Sequence, residues 1–130
     1  MRSRYAAYSL GLGDYLVNTL ADAHPDRAVP HEQLARSLSR ARQAQRFLDL
    51  RILHTSTAAD LGEVLFHARI FERGTDRSFA ELSLFLREGS AWRYASGVLV
   101  PAERLPGDLR SLDRSAFLAL AESVAARPEP

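Results

Sequence analysis

Helical spacing of apolar residues marks four segments of the chain. The first covers residues 1–10 and ends before Gly11, a residue type that suits the left-handed position after a helix. The second follows Asp14 and the third follows Pro30, because aspartate caps helices and proline fits the first helical turn. A fourth is predicted after Asp113. The four apolar stripes are Tyr5, Ala6 and Tyr8; Tyr15, Leu16, Thr19 and Leu20; Leu34, Leu38 and Ala41; and Phe117, Leu120, Ala121 and Val124.

Between the third and fourth helices the pattern changes to four strand-like segments. They cover residues 47–54, 63–71, 79–87 and 92–100, and residues that favour turns separate them. Short connections predict an antiparallel meander. Three helices, a curved sheet and a last helix together indicate the α+β class.

The register of this sheet has two solutions. One pairs Glu63 with Arg87 and Arg69 with Glu81, which gives two opposite-charge pairs across the strands. A shift by one residue inverts the face that each side chain occupies. We choose the shifted register, in which one face carries Val64, Phe66, Ala68, Ile70, Glu81, Ser83 and Phe85.

Composition then limits the function. A chain of 130 residues, 46% hydrophobic and 25% charged, predicts one globular domain. A net charge of +1 favours neither nucleic acid nor membrane surfaces, and no apolar run is long enough to cross a bilayer. No secretory signal follows the first arginines, so we expect a cytoplasmic protein. The chain has no cysteine, and its 17 cationic residues are all arginine, which excludes thiolate and lysine chemistry.

Several short motifs, in order, resemble the central domain of the YchJ-like family. They are Arg2-Ser-Arg-Tyr5 with Tyr8, Tyr15-Leu16, His24-Pro25, Leu48-x-Leu50, Val64-x-Phe66-x-Ala68-Arg69, Glu81-x-Ser83-x-Phe85, Trp92-x-Tyr94 and Gly97. The resemblance implies a nuclear transport factor 2-like (cystatin-like) domain over residues 1–101. Residues 102–130 are then a linker and a C-terminal helix packed on the same domain. A helix beginning at Met1 suggests either a trimmed chain or a lost upstream segment.

Two departures from the family pattern matter. The family flanks this domain with cysteine-rich zinc motifs similar to the one that ends the SecA ATPase. Because this chain lacks cysteine, a zinc-dependent or SecA-like docking role is not carried over. Phe47 stands where the family shows a tryptophan. The family is functionally uncharacterised, so the resemblance implies no reaction.

The polar residues of these motifs form the candidate site. In such folds the first helices cross the concave sheet face, which brings Arg2 or Arg4 toward Glu81. The favoured interpretation is a structural arginine–glutamate salt bridge, since an unpaired buried charge is costly. The alternative is the polar floor of a pocket in which Arg4 binds a small anionic ligand. The candidate pocket residues are Arg2, Arg4, Tyr5, Tyr8, Tyr15, His24, Glu81, Ser83 and Trp92.

Other constellations carry weaker signals. The histidines are dispersed, so we expect no bound metal, no zinc dependence and no cofactor. Ser83 could face His67 in one register, but no nucleophile elbow accompanies it. Arg36, Arg40, Arg42 and Arg46 form a stripe on the third helix that we interpret as a solvated face rather than a nucleic-acid site.

Two functions remain open. We expect a non-catalytic binding or protein-interaction module, with a protein partner, because no catalytic signature is present. The alternative is a small-molecule-binding protein or enzyme that uses a cone-shaped pocket, indicated by an open cavity of roughly 300 Å³ or more. Leucines at 82, 84 and 86, with Leu65 and Phe71, also predict a homodimer through the outer sheet face. If the C-terminal helix covers this face instead, the chain is a monomer.

Overall fold

The computed structural model describes residues 1–125 and contains five helices and five strands. The helices are α1 (Arg2–Leu10), α2 (Gly13–Asn18), α3 (His31–Ser39), α4 (Ala41–Ala44) and α5 (Arg114–Ala125). The strands are β1 (Gln45–Ala58), β2 (Leu61–Glu72), β3 (Thr75–Asp76), β4 (Phe79–Glu88) and β5 (Ala91–Pro101). Short 3₁₀ helices cover Pro25–Ala28, Ala102–Arg104 and Leu109–Ser111. The predicted α+β class is confirmed.

Local residue chemistry explains two of the helix ends. Gly11 closes α1 with a φ of 70°, the left-handed conformation that glycine adopts without strain. Asp113 caps α5, its carboxylate accepting the Ala116 N–H at 2.8 Å. The predicted cap at Asp14 is wrong: α2 begins at Gly13, and Asp14 lies in its first turn, 3.0 Å from the His31 ring.

The sheet is antiparallel, in the order β1-β2-β4-β5, with β3 paired to β2. Val64 lies opposite Ser83 and Phe66 opposite Glu81, which confirms the chosen register. The charge-paired alternative is not formed, since Glu63 lies opposite Leu84. Two faces follow from this register. The inner face carries Phe66, Ala68, Ile70, Glu81, Ser83 and Phe85, and the outer face carries Leu65, Ala80 and Leu82.

Helices cover both faces of the sheet. On the inner face, Phe66, Ala68 and Ile70 pack with Met1 and Tyr5 of the N-terminal segment. On the outer face, Leu65, Ala80, Leu82 and Val100 form a core with Leu112 and Phe117. Because both faces are covered, consecutive β2 residues are buried on opposite sides: Leu65 is 0% exposed and Phe66 is 1% exposed.

Helices α2 and α3 form a small layer beside the edge strand β5. Val17 and Leu20 pack with Leu34 and Ala35, so that α2 and α3 share a small core. The segment after α2 extends the sheet, because the Ala21 N–H donates to the Tyr94 carbonyl and the Tyr94 N–H donates to the Thr19 carbonyl, both at 2.7 Å. This pairing covers part of the β5 edge. Among the described helices, none has the length and apolar character needed to cross a bilayer.

The C-terminal segment occupies the outer face on which the predicted homodimer depends. Leu65 and Leu82 are buried there, and Leu118, Leu120, Ala121 and Val124 pack around them. This is the monomeric arrangement considered as the alternative. The dimer itself stays a prediction, but the C-terminal segment covers Leu65 and Leu82, while Leu84, Leu86 and Phe71 are half-buried. Residues 126–130 lie outside the described residues.

Candidate functional site

A carboxylate and two hydroxyls meet above a glycine on the inner face. Glu81 Oε2 accepts hydrogen bonds from the Tyr94 hydroxyl, at 3.0 Å, and from the Ser83 hydroxyl. Ser83 lies opposite Gly97 on β5, and a Cβ at Gly97 would come within 2.5 Å of both Glu81 Oε2 and the Tyr94 hydroxyl. The cluster therefore occupies the space that a side chain at position 97 would need, which glycine leaves free.

A β-bulge turns Tyr94 toward this cluster. Leu84 pairs with Ser96 but Phe85 pairs with Tyr94, so Ala95 is an extra residue on β5. With regular alternation Ala95 would face inward and Tyr94 outward. Bulges re-aim side chains in this way and are frequent next to functional sites.

Arg4 of α1 lies beside the same cluster. It is 5% exposed, and its Nη1 donates to the Leu16 carbonyl, at 2.8 Å, and to the Thr19 hydroxyl. Its guanidinium also lies over the Tyr94 ring, 4.9 Å from the ring centroid, a cation–π distance. Arg4 thus ties α1 to the end of α2 and to β5.

The predicted salt bridge between Glu81 and Arg2 or Arg4 is wrong. Glu81 does lie on the face that α1 covers, but its hydrogen-bond donors are Tyr94 and Ser83. Among the described residues, neither arginine has a nitrogen within 4.0 Å of a Glu81 carboxylate oxygen. Tyr94 connects the two charges instead, with its ring against Arg4 and its hydroxyl on Glu81.

Burial keeps the nearby phenols protonated. Burial raises the pKa of Tyr94 far above its ordinary value, and the negative charge and hydrogen bond of Glu81 raise it further. Burial also raises the pKa of Tyr8, an effect that the positive charge of Arg4 opposes. Both side chains are therefore neutral at pH 7, and Tyr94 can donate to Glu81.

These groups form one end of a cavity of about 290 Å³ between α1 and the sheet, which we call the inner cavity. Tyr8 stacks on Phe47 with ring centroids 6.3 Å apart, and Phe66 and Phe79 meet edge to face at 6.1 Å. The walls are Met1, Arg4, Tyr5, Tyr8, Gln45, Phe47, Phe66, Ala68, Ile70, Arg77, Phe79, Glu81, Tyr94 and Leu99. The inner cavity is aromatic along its length, with its buried charges near α1.

Two further openings are less promising. A cavity of about 250 Å³ shares Met1 and Arg4 with the inner cavity, and its lining includes three hydroxyl residues of β1 together with Tyr15 and Trp92. A shallow cleft of about 570 Å³ lies between Gly11–Tyr15 and α3. Its lining includes the exposed Asp14 and Glu32, but the Arg4–Glu81 cluster is elsewhere.

The structure brings together four of the nine predicted pocket residues in the inner cavity: Arg4, Tyr5, Tyr8 and Glu81. Tyr15 and Trp92 line the neighbouring cavity, and Ser83 is fully buried beneath Glu81. Arg2 is exposed and lines neither cavity.

His24 also lies outside both cavities. It caps a 3₁₀ helix, with Nδ1 accepting the Asp26 N–H at 3.0 Å.

Sequence reasoning missed several lining residues. Phe47, Phe66, Phe79 and Leu99 were assigned to the core or to strands, because apolar residues carry no chemical signal of a cavity. Tyr94 and Gly97 were in the quoted motifs, and their place opposite Phe85 and Ser83 could have indicated the site once the bulge was known.

The residues of the other candidate sites, the Ser83–His67 pair and the arginine stripe, do not come together in the structure. Ser83 faces inward, whereas His67 lies opposite Ala80 on the outer face, so the two cannot act together. The arginine stripe does not lie on one helix: Arg36 is in α3, Arg42 in α4 and Arg46 in β1. No group of three or more histidine, aspartate or glutamate side chains converges on a metal-sized site in residues 1–125.

Comparison with known proteins decides the family. A family model described as "YchJ, middle NTF2-like domain" matches residues 1–97. The chain belongs to the YchJ-like family. A "UPF0225 protein" of Chromobacterium violaceum is 35% identical over 102 residues, covering 76% of this chain and 70% of that protein. For similar proteins of Polaromonas naphthalenivorans and Vibrio vulnificus, identities are 35% and 32%, and the chain spans 65% and 61% of their lengths.

Solved structures agree with this YchJ-like assignment. A SEC-C motif containing protein from Rhodopseudomonas palustris is 35% identical with a TM-score of 0.61, covering 75% of this chain and 73% of that one. A Nostoc punctiforme domain of unknown function with a cystatin-like fold has a TM-score of 0.60 at 13% identity. The latter covers 96% of this chain and 90% of its own, so the shared fold extends into the C-terminal segment. The predicted family and fold are confirmed, and these relatives have no described activity.

Proposed function

We propose that this YchJ-like domain is a non-catalytic binding domain whose ligand is a small molecule held in the inner cavity. The observation that carries the proposal is the cavity itself, about 290 Å³ between α1 and the inner sheet face. Ligand sites are typically apolar cavities of about 300 Å³ upward with a few converging polar groups. The inner cavity is near the lower end of that range, which favours a ligand smaller than a typical drug.

The chemistry of the lining supports binding rather than catalysis. The protonated phenols of Tyr8 and Tyr94 are poor bases, and the Ser83 hydroxyl is committed to Glu81. Aromatic walls supply burial for an apolar ligand, and the polar end fixes its orientation. Tyr5 adds a buried hydroxyl without a hydrogen-bond partner among the described residues.

A matched pair of substitutions on β5 tests the site. Leu99 is 51% exposed and lines the inner cavity, whereas the neighbouring Val98 is 44% exposed and points to the opposite face. Leu99→Trp narrows the cavity; Val98→Trp adds the same ring elsewhere. Small aromatic and aliphatic compounds are titrated into labelled protein, and backbone amide shifts are measured by NMR. We expect shifts at Tyr8, Phe66 and Glu81 that Leu99→Trp abolishes and Val98→Trp preserves. Shifts confined to the α2–α3 cleft would contradict this proposal.

A protein partner is the second candidate, favoured by exposed apolar side chains after α1. Leu10 is 55% exposed and Leu12 is 49% exposed, on either side of the Gly11 turn. The Rhodopseudomonas relative is described as containing a SEC-C motif, but this chain has no cysteine. The docking proposed here uses Leu10 and Leu12 on the domain's own surface. Leu10→Ser with Leu12→Ser should weaken such docking and leave the inner cavity unaffected.

We also propose a cytoplasmic location, supported by the absence of cysteine, which fits a reducing compartment. The homodimer expected from the sequence stays open. With Leu65 and Leu82 covered, an interface would have to displace α5 or use another surface. The mass in solution, measured by light scattering at micromolar concentration, tests it.

A further inference from the structure

Arg4 is a buried cation without a counter-charge. It is 5% exposed, and no carboxylate oxygen of the described residues lies within 4.0 Å of its guanidinium. Its neighbours are the Leu16 carbonyl, the hydroxyls of Thr19 and Tyr8 and the Tyr94 ring, all of them neutral. Burying a charge in this way is costly unless a partner of opposite sign joins it.

The hydrogen bonds of Arg4 leave one edge of its guanidinium available. The bonds to the Leu16 carbonyl and the Thr19 hydroxyl both come from Nη1, and the Tyr8 hydroxyl also lies against the guanidinium. The Nε–Nη2 edge has the parallel donor geometry that binds the two oxygens of a carboxylate. Since Arg4 also lines the inner cavity, a ligand there can supply those oxygens.

The summed charge of the lining agrees with one negative charge on the ligand. Among the side chains of the lining, Arg4 and Arg77 are positive, Glu81 is negative and the tyrosines are neutral; the α-amino group of Met1, whose pKa is lowered by burial, adds a positive charge when it is protonated. The lining therefore favours a negatively charged ligand, whereas Glu81 opposes a second negative charge on it. Arg77 lies nearer solvent and has its own partner, Glu72, at 3.5 Å, so Arg4 is the cation that lacks one.

We propose that the inner cavity binds a small monocarboxylic acid with an apolar, ring-bearing body, its carboxylate on the free edge of Arg4. The body contacts Phe47, Phe66, Phe79 and Leu99, which form the apolar walls. This inference rests on the proposed function, because it names the ligand class of the same cavity.

Three compounds that share one phenylpropyl skeleton and differ only in charge separate the carboxylate inference from the proposed small-molecule function. 3-Phenylpropionate, 3-phenylpropionamide and 3-phenylpropylamine carry a negative, a neutral and a positive group, and each is titrated by NMR. We expect the carboxylate to bind about tenfold more tightly than the amide, as charge-assisted hydrogen bonds require. The amine should bind most weakly. Equal binding of all three at the cavity residues overturns the carboxylate inference and leaves the small-molecule function standing. No binding by any probe counts against both.

Two variants identify the groups responsible. Arg4→Gln should remove the preference for the carboxylate over the amide. Because Arg4 also holds the end of α2, the backbone amide spectrum of Arg4→Gln is used to check that this variant is folded.

Glu81→Gln keeps an acceptor for Tyr94 and Ser83 but removes the negative charge that opposes the ligand. This variant should therefore strengthen carboxylate binding and leave amide binding unchanged. Glu103→Gln, an exposed position outside the cavity, is the charge-matched control. An unchanged or weaker carboxylate affinity in Glu81→Gln contradicts the assignment.

Discussion

At the scale of single residues, Gly97 is important because it has no side chain. Its space holds the Glu81 carboxylate and the Tyr94 hydroxyl, the two groups that give the inner cavity its polar end. The motif residue was visible in the sequence, but the bulge at Ala95 was not. The predicted Arg4–Glu81 pair failed for the same reason, because Tyr94 was not expected between the charges.

Gly97→Ala should therefore destabilise the protein. The new Cβ would lie 2.5 Å from two polar atoms, and overpacking of this kind costs about 1–3 kcal/mol. The free energy of unfolding in urea measures the effect. Gly107→Ala is the control, since no atom lies within 4 Å of a Cβ placed there, and it should stay within about 0.5 kcal/mol of wild type. Equal stabilities for the two variants would contradict the crowding at Gly97.

Tyr94 predicts a specific alkaline loss of stability. Its pKa is raised in the folded state, so folding favours the protonated phenol. This contribution is complete below the unfolded pKa of about 10 and decreases as the pH rises above it toward the folded pKa. Tyr94→Phe cannot ionise. Compared with wild type, it should lose less stability above about pH 10, in urea unfolding series run at each pH. Parallel alkaline losses in both proteins would show that the Tyr94 phenol is not protected.

At the scale of secondary structure, alternation and turn residues were sufficient to locate the strands. The predicted segments 47–54, 63–71, 79–87 and 92–100 all lie within β1, β2, β4 and β5, which extend beyond them by a few residues. Alternation could not show the bulges in β1 and β5, because an extra residue interrupts pairing without a distinct residue type. The periodicity of apolar residues likewise predicted α3 and α4 as one helix, although the helix is interrupted at Arg40.

Gly13 tests the contact between two helices. In an isolated helix, glycine to alanine gains up to about 1 kcal/mol from helix propensity. Here the new Cβ would lie 1.9 Å from the Ala35 carbonyl oxygen and 2.4 Å from the Ser39 hydroxyl oxygen, so α2 and α3 would have to separate. We expect Gly13→Ala to destabilise by about 2 kcal/mol or more, measured by urea unfolding. A stabilised variant would mean that the helices are not in such close contact.

At the scale of the whole molecule, the sheet is buried on both faces by segments from opposite ends of the chain. The sequence showed that β4 is apolar on both sides but not what covers the outer side, because a C-terminal helix and a second chain present similar leucine-rich surfaces. Only the structure shows which element covers the outer face: Phe117 of α5 is fully buried against Leu65, Leu82 and Val100.

Detaching α5 should therefore make the protein self-associate. Phe117→Glu places a charge in the outer core and should release the helix, which exposes Leu65, Ala80, Leu82 and Val100 as one apolar surface. Ala119→Glu introduces the same charge on the exposed side of α5 and should leave the helix docked. Light scattering at micromolar concentration should give a larger mass for Phe117→Glu than for wild type, and the wild-type mass for Ala119→Glu. If Phe117→Glu stays folded at the wild-type mass, α5 is not what separates this face from a second copy.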